Sequence, residues 1–183
     1  MKYLIASDLH GSSEYINKLK EQFLEKKADR IILLGDLLYH GPRNSLPKDY
    51  DTIKSSEILN SLKDYIISIK GNCDADVDSM MLDFSIKEQN MLFVDNGITM
   101  FLTHGETYNT SNLPPINNFD ILIHGHTHIP ALCDLGNNKY YINPGSVSIP
   151  KGDSTNSYII YENGKFEWYD INGNKYKEFI FKK

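Results

Sequence analysis

The N-terminal part of the chain alternates between short apolar runs and amphipathic stretches. The apolar runs have the length of buried β-strands and span Tyr3–Ala6, Ile31–Leu34 and Tyr65–Ile69. Helical spacing predicts a helix after Ser12 and Ser13, with Ile16, Leu19, Phe23 and Leu24 on one face. It also predicts a second helix capped by Thr52, with Ile58, Leu59 and Leu62 on its inner face. This strand–helix–strand alternation predicts a parallel sheet.

After residue 90 the pattern changes to apolar runs separated by Asn-Gly pairs, which are a strong hairpin signal. The pairs are Asn96-Gly97, Asn163-Gly164 and Asn172-Gly173. The runs are Met91–Val94, Ile98–Leu102, Ile121–Ile123, Tyr158–Tyr161 and Phe166–Tyr169, with a last strand ending at Phe181. The C-terminal part is therefore predicted to be mostly antiparallel. Residues 1–183 are predicted to form one mixed α/β domain with two packed sheets.

Composition excludes few classes of protein but narrows the setting. The net charge of -5 disfavours a protein that coats nucleic acid, because such proteins are usually basic. The two cysteines, Cys73 and Cys133, do not suggest a disulfide framework. The N-terminus lacks the apolar region of a signal peptide, and no apolar run has transmembrane length. The sequence therefore predicts a cytoplasmic protein that neither spans a membrane nor binds nucleic acid stably.

Five of the predicted strands are each followed by side chains that bind metals. These side chains are Asp8 and His10, Asp36, Asn72 and Asp74, His104, and the trio His124, His126 and His128. In open α/β sheets, ligands bind just outside the carboxyl ends of the strands. Three histidines within five residues are unusual for a purely structural segment, whereas each of the other groups alone would suit an ordinary turn. Together they predict a pocket lined by Asp, His and Asn.

The number and type of donors indicate two metal ions. Carboxylate, imidazole and amide donors suit divalent Mn, Fe, Zn or Mg, and there are more of them than one tetrahedral ion needs. Two ions roughly 3.5–4 Å apart would neutralise phosphate charge and lower the pKa of a bound water from about 15.7 towards about 7. Spacing alone does not choose among His124, His126 and His128, because alternate strand residues share a face.

The motif set resembles the calcineurin-like metallophosphoesterases, and within them the bacterial YfcE-type phosphodiesterases. The matching segments are Ala6–Gly11, Leu34–Asp36, His40–Asn44, Gly71–Asp74, Leu102–Gly105, Gly125–His128 and Asn143–Pro150. The resemblance covers nearly the whole chain. It implies a four-layer α/β/β/α sandwich of two mixed sheets.

The resemblance also implies which residues hold each ion. Asp8, His10, Asp36 and His128 would hold the first ion, and Asp36, Asn72, His104 and His126 the second. Asp36 would bridge the two ions, and His124 would lie outside the ligand set. Manganese is the expected metal, with Fe, Zn or Mg as alternatives.

One position departs from the family pattern. Many relatives carry His after the Gly-Asn pair, and that His is proposed to protonate the leaving group; here the position is Cys73. A neutral thiol is a poor general acid, so His40 is the candidate acid, with a loop residue of no catalytic role as the alternative. Arg43 is the candidate ligand for a phosphate oxygen, with a surface salt bridge as the alternative.

The predicted function is a phosphodiesterase that uses hydroxide activated by two metals for in-line attack on phosphorus. A phosphomonoesterase or nucleotide phosphatase is the alternative enzyme, because the same centre serves both reactions. A non-catalytic scaffold resembling the retromer subunit of this fold is the alternative from another class. The expected partner is a small phosphoester substrate, and relatives often self-associate, so a homo-oligomer is expected.

Overall fold

The computed structural model describes residues 1–182. The chain contains two α-helices, α1 (Ser13–Glu25) and α2 (Thr52–Asn60), and 3-10 turns at Lys63–Tyr65 and Asp76–Met80. The first strands are β1 (Lys2–Ala6), β2 (Arg30–Leu33), β3 (Ile66–Ser68), β4 (Asn90–Asp95), β5 (Ile98–Thr103) and β6 (Ile121–Ile123). The remaining strands are β7 (Ala131–Gly136), β8 (Lys139–Asn143), β9 (Ser157–Glu162), β10 (Lys165–Asp170) and β11 (Lys175–Ile180).

The first sheet contains strands from both the N-terminal and the C-terminal parts of the described chain. Its strand order is β11-β10-β9-β1-β2-β3. The strands β1, β2 and β3 pair in parallel, as the alternating pattern predicts. The strand β9 pairs antiparallel with β1 and continues into β10 and β11 through antiparallel pairs, so the sheet is mixed.

The second sheet has the order β4-β5-β6-β8-β7. The predicted hairpin at Asn96-Gly97 is confirmed: φ is 49° at Asn96 and 79° at Gly97, and β4 and β5 pair antiparallel. However, β5, β6 and β8 pair in parallel, so this sheet is mixed too. The hairpin of β7 and β8 was not predicted, because half of the residues of β7 are exposed and the strand shows no clean apolar alternation.

Both helices lie where the pattern predicts them, but three details were wrong. The helix α2 ends at Asn60, so Leu62 lies beyond it. Leu24 is 60% exposed, so the buried stripe of α1 ends at Phe23. The cap of α2 is Asp51 rather than Thr52, and the Asp51 side chain accepts a hydrogen bond from the Lys54 N–H. An exposed Asp in an extended conformation satisfies this N–H at low cost, which explains the one-residue shift.

Layering follows from where the apolar side chains lie. Between the sheets, residues such as Ile5 and Ile32 pack with Leu102 and Trp168. The helices α1 and α2 cover the outer face of the first sheet. On the outer face of the second sheet, the segment 104–120 is irregular and buries only a small cluster that includes Phe119. The predicted two mixed sheets are confirmed, while this outer layer is irregular where the four-layer description implies a helix.

Within the described residues, no helix has both the length and the apolar character needed to cross a membrane.

Candidate metal centre

The loops after β1 and β2 are held side by side by backbone hydrogen bonds. The Asp8 N–H donates to the Gly35 carbonyl at 3.1 Å. The N–H groups of Leu9 and His10 both donate to the Asp36 carbonyl at 2.9 Å. The backbone pairing of β1 and β2 therefore continues into the loops that follow them. This pairing brings the side chains of Asp8, His10 and Asp36 to one edge of the sheet.

Five of the predicted ligands have left-handed backbone conformations. Their φ angles are 56° at Asp8, 47° at His10, 57° at Asp36, and 62° at both His126 and His128. Each such conformation costs on the order of 1–3 kcal/mol and persists only where the surroundings enforce it. These residues fold the chain sharply at the strand ends, so stability is given up to form the site.

The first group of donors is centred on the Asp8 carboxylate. Asp8 Oδ1 lies 3.4 Å from His128 Nε2 and 3.7 Å from His10 Nε2. The two imidazole Nε2 atoms are 3.3 Å apart, and His10 Nε2 is 3.8 Å from Asp36 Oδ2. The structure therefore brings together the four residues predicted for the first ion.

The second group is centred on the His104 imidazole. His104 Nε2 lies 3.0 Å from Asn72 Oδ1, 3.2 Å from His126 Nδ1 and 3.4 Å from Asp36 Oδ2. The structure therefore also brings together the four residues predicted for the second ion. Asp36 is within 4 Å of donors in both groups, which is the position that a bridging carboxylate needs.

Three of the imidazoles are oriented by backbone carbonyls. The Nδ1 atoms of His10, His104 and His128 lie 2.8, 2.7 and 2.6 Å from the carbonyl oxygens of Tyr39, Leu34 and Ile149. A carbonyl only accepts, so Nδ1 carries the proton in each ring. In the neutral ring the lone pair on Nε2 then points at the neighbouring donors, as metal-binding histidines require.

The donor set fits divalent ions on chemical grounds. Asp8 Oδ1 is buried and has no hydrogen-bond partner among the described residues, although buried carboxylate oxygens are rarely left unpaired. The group Asp8, His10 and His128 and the group Asp8, Asp36 and His104 each have ligand atoms within 4.8 Å of one another. Oxygen and imidazole donors in this arrangement suit Mn, Fe, Zn or Mg.

The electrostatics of Asp36 and His104 reflect a close ion pair in the metal-free chain. Burial opposes ionisation of Asp36, but the hydrogen bond and charge of His104 and the Cys73 N–H lower its pKa well below the usual range. Burial likewise lowers the pKa of His104, but Asp36 and Asp8 outweigh it and raise that pKa to about 10. A bound ion would take the place of the His104 proton.

Asp74 organises the loops of the centre without being one of the predicted ligands. Its carboxylate accepts hydrogen bonds from the N–H groups of Asp36 at 2.8 Å, Leu37 at 2.7 Å and Gly71 at 2.7 Å. Burial raises the pKa of this carboxyl, although the three N–H groups favour the charged form. Asp74 thus fixes the loop after β2 against the loop after β3.

His124 lies outside both donor groups, so the geometry separates it from His126 and His128. Its ring stacks on Tyr141 with a centroid distance of 4.3 Å, and its Nδ1 lies 3.0 Å from the Gly125 carbonyl. Burial lowers its pKa to about 4. His124 is therefore a neutral packing residue beneath the centre.

Comparison with known proteins identifies the family of the chain. Residues 1–165 match the calcineurin-like phosphoesterase superfamily domain. The chain belongs to the calcineurin-like phosphoesterase superfamily. It is 42% identical over 163 residues to "Phosphodiesterase YfcE" of Escherichia coli strain K12, covering 89% of this chain and 88% of the relative. The resemblance predicted from the motifs is therefore confirmed.

Solved structures of this superfamily fold superpose on the chain over nearly its whole length. The structure described as "Yfce, a phosphoesterase from E. coli" gives a TM-score of 0.94 with 37% identity, covering 100% of both chains. Vacuolar protein sorting 29 from Cryptosporidium parvum gives 0.64 with 18% identity, covering 98% of this chain and 97% of that one. The second likeness shows a shared fold alone.

An open cleft of about 870 Å³ lies over the two groups of candidate metal donors. Asp36, Asn72, His126 and His128 form part of its wall, and the exposed side chains of Arg43 and Lys151 line it as well. Neither cation forms an ion pair with any residue in 1–182, so the salt-bridge alternative for Arg43 finds no partner there. Lys151 was missed, since nothing in its local sequence separates it from other surface lysines.

His40 does not line the cleft over the donor groups. Its ring packs edge-on against Tyr39, with a centroid distance of 4.8 Å, and against Tyr50, at 5.2 Å. The position of His40 therefore gives no support to its predicted role as the leaving-group acid.

Cys73 occupies the cleft position that the family pattern gives to His. Its backbone N–H donates to Asp36 Oδ1 at 2.8 Å, and its Sγ accepts a hydrogen bond from Asn72 Nδ2 at 3.3 Å. Burial, with the nearby charge of Asp36, raises the pKa of its thiol to about 12. The side chain is therefore a neutral thiol at physiological pH, and such a group is a poor proton donor.

Proposed function

We propose that the chain hydrolyses phosphodiesters with two divalent ions. Asp8, His10, Asp36 and His128 would hold the first ion, and Asp36, Asn72, His104 and His126 the second. The observation that carries this proposal is the pair of donor groups that share Asp36. Manganese is the proposed metal, and Fe, Zn and Mg are the alternatives that the same donors accept.

The chain's own residues would position the reaction. When bound, the two ions supply positive charge to the phosphate oxygens and lower the pKa of water. Backbone contacts at Nδ1 keep His10, His104 and His128 aimed at the centre. The unpaired cations Arg43 and Lys151 would bind phosphate oxygens from the cleft side, and the Arg43 guanidinium suits two oxygens at once.

A diester is favoured over a monoester by similarity. The relative with 42% identity is named a phosphodiesterase, and the likeness covers most of both chains. A scaffold function is not favoured, because the structure brings all seven predicted donors together. We further propose that residues 1–183 act as one cytoplasmic domain, on small phosphoesters, as a homo-oligomer.

Hydrolysis of bis(4-nitrophenyl) phosphate tests this function. The chain would be stripped of metal with a chelator and assayed with Mn²⁺, Mg²⁺, Zn²⁺ or Fe²⁺, while elemental analysis counts the bound ions. We expect turnover with two ions per chain and a much slower reaction with 4-nitrophenyl phosphate. Faster monoester hydrolysis would favour the phosphomonoesterase, and a loaded protein without turnover would favour the scaffold.

A further inference from the structure

A small depression opens beside the metal centre, between the loop after β2 and the 3-10 turn at Asp76–Met80. Its volume is about 230 Å³. The side chains that give it its character are Leu38, Tyr39, Tyr50, Cys73, Val77 and Met81. We call this depression the apolar hollow. No residue of the predicted metal set lines it.

The apolar hollow adjoins the cleft over the donor groups and shares lining residues with it. Tyr39, Cys73 and Ala75 line both. Cys73 Sγ lies within 4.8 Å of ligand atoms of His10 and Asp36. A group bonded to a phosphate at the centre would therefore reach the hollow by passing Cys73.

The chemistry of the hollow differs from that of the rest of the cleft. Val77 is 61% exposed and Tyr39 is 41% exposed, so apolar surface is left to water directly beside the centre. Asp78 is the acidic residue of the lining, and its carboxylate accepts a hydrogen bond from the Ala75 N–H at 2.8 Å. Lys and Arg are absent from the described lining, whereas the cleft carries Arg43 and Lys151. An anionic group would be disfavoured in the hollow, and a neutral apolar group favoured.

We propose that the apolar hollow binds one apolar, ring-sized ester group of the substrate. The inference rests on the proposed phosphodiesterase function and specifies its substrate class. The size fits, because an engineered apolar cavity of about 150 Å³ binds benzene. The ions and the cleft cations would hold the phosphate, and the hollow would select what is attached to it. Substrates would then be diesters with an aromatic or similarly bulky apolar substituent rather than a small or charged one.

The matched pair Val77→Glu and Met80→Glu tests this assignment. Both residues are exposed on the same 3-10 turn, Met80 at 84%, but only Val77 lines the hollow. Calorimetry would measure binding of phenylphosphonate and methylphosphonate to the Mn²⁺-loaded protein and to both variants. The two ligands carry the same phosphonate and differ only in the apolar group, and neither is hydrolysed.

We expect the wild type to bind phenylphosphonate about tenfold more tightly, the effect of burying roughly 55 Å² of apolar surface. Val77→Glu should remove most of this preference and Met80→Glu should keep it. Equal affinities in the wild type, or an unchanged preference in Val77→Glu, would overturn the proposal. Methylphosphonate reports on the centre alone, so absence of its binding would instead contradict the proposed function and this inference with it.

Discussion

The hairpin turns and the metal loops both force non-glycine residues into left-handed conformations, but they do so by different means. In the hairpins at Asn96 and Asn163 the residue is an exposed Asn followed by Gly, with φ of 49° and 50° respectively. In the metal loops Asp8, His10 and Asp36 are almost fully buried. The residue type alone explains the conformation in the hairpin turns, because Asn tolerates a left-handed backbone. In the metal loops the same conformation depends on contacts from distant segments. The candidate functional residues therefore lie where the backbone preference of the residue is overridden.

The largest effect should follow from neutralising the residue shared by both donor groups. We expect Asp36→Asn to lower kcat/KM by at least about 10²-fold, because even residues that only support metal ligands contribute about 10–100-fold. Asn tolerates the φ of 57° at this position, so the fold should survive. Elemental analysis would count the bound ions, and the diester assay would measure kcat/KM. Turnover like that of the wild type would remove Asp36 from the proposed centre.

A substitution in a hairpin turn should have the opposite effect, lowering stability while leaving activity unchanged. Asn96→Ala should cost about 1 kcal/mol of unfolding free energy, because alanine pays for a left-handed conformation and the hydrogen bond to Asn163 is lost. Its kcat/KM should match that of the wild type. Denaturant unfolding and the same assay measure the two quantities. A large loss of activity in Asn96→Ala would show that turns and site are not separate in this way.

A second effect concerns the pH dependence of metal binding. His104 has an ordinary pKa near 6.5, raised to about 10 in the metal-free chain, so at pH 8 its imidazole is protonated. An ion needs the neutral ring, so binding must release that proton, and affinity should rise roughly tenfold per pH unit between pH 7 and 9. The proton stabilises the metal-free fold below pH 6.5, and this contribution is lost as pH rises towards 10.

Calorimetric titration with Mn²⁺ in buffers of different ionisation enthalpy would count the released protons. His124 offers a control, because burial lowers its pKa to about 4 and it carries no extra proton at pH 8. Folded His124→Gln should therefore release as many protons as the wild type. A proton count of zero in the wild type at pH 8 would contradict the assigned ion pair of Asp36 and His104.

A smaller effect is expected from the cleft cations. Arg43→Gln and Lys151→Gln should each lower kcat/KM about fivefold, since an exposed charge contributes up to about 1 kcal/mol. The loss should shrink at high salt, because the charges are open to solvent. Lys54→Gln, an exposed lysine on α2, is the matched control. Equal small losses in all three variants would indicate a general charge effect instead of phosphate binding.

The smallest effect should come from Cys73. Its thiol is held neutral, with a pKa of about 12, so it has little capacity to protonate a leaving group. Cys73→Ser should keep hydrolysis of an aryl diester within about threefold of wild type, far less than the 10²–10⁴-fold typical of a general acid. A loss beyond that range with both metals still bound would assign Cys73 a direct role.

Much of the fold was predictable because its signals are local. The Asn-Gly turns and the parallel strands β1 to β3 were visible in the pattern, and the structure brings together the donors that follow five strand ends. The hairpin of β7 and β8 was not predicted, because half-exposed strands lack an apolar period. Asp74 looked like a turn residue, since two of its three N–H partners, Asp36 and Leu37, lie far from it in the chain.

The residues for which sequence reasoning offered the least guidance lie in the cleft and its surroundings. His40 was selected because histidine titrates near neutral pH; its ring packs edge-on against Tyr39 and Tyr50, and its catalytic role stays a prediction. Lys151 was overlooked, although its N–H donates to the His128 carbonyl and so places it directly beside a predicted ligand. In both cases the decisive information is the direction of a side chain on an irregular loop, which composition and spacing do not encode.

The hydroxyls of Ser146 and Ser148 both donate to the Asp8 carbonyl, at 2.7 and 3.1 Å, across 138 and 140 residues of sequence. The strand β1 likewise finds one of its two neighbours only in β9. During synthesis the loop after β1 can therefore pair early with the loop after β2, but it gains its serine partners only when most of the chain has emerged. A shortened nascent chain would carry several of the histidines without the frame that aims them. The carboxyl-terminal third of the described chain supplies His126, His128 and the two serines that hold the Asp8 backbone, so both donor groups are complete only when that third has folded.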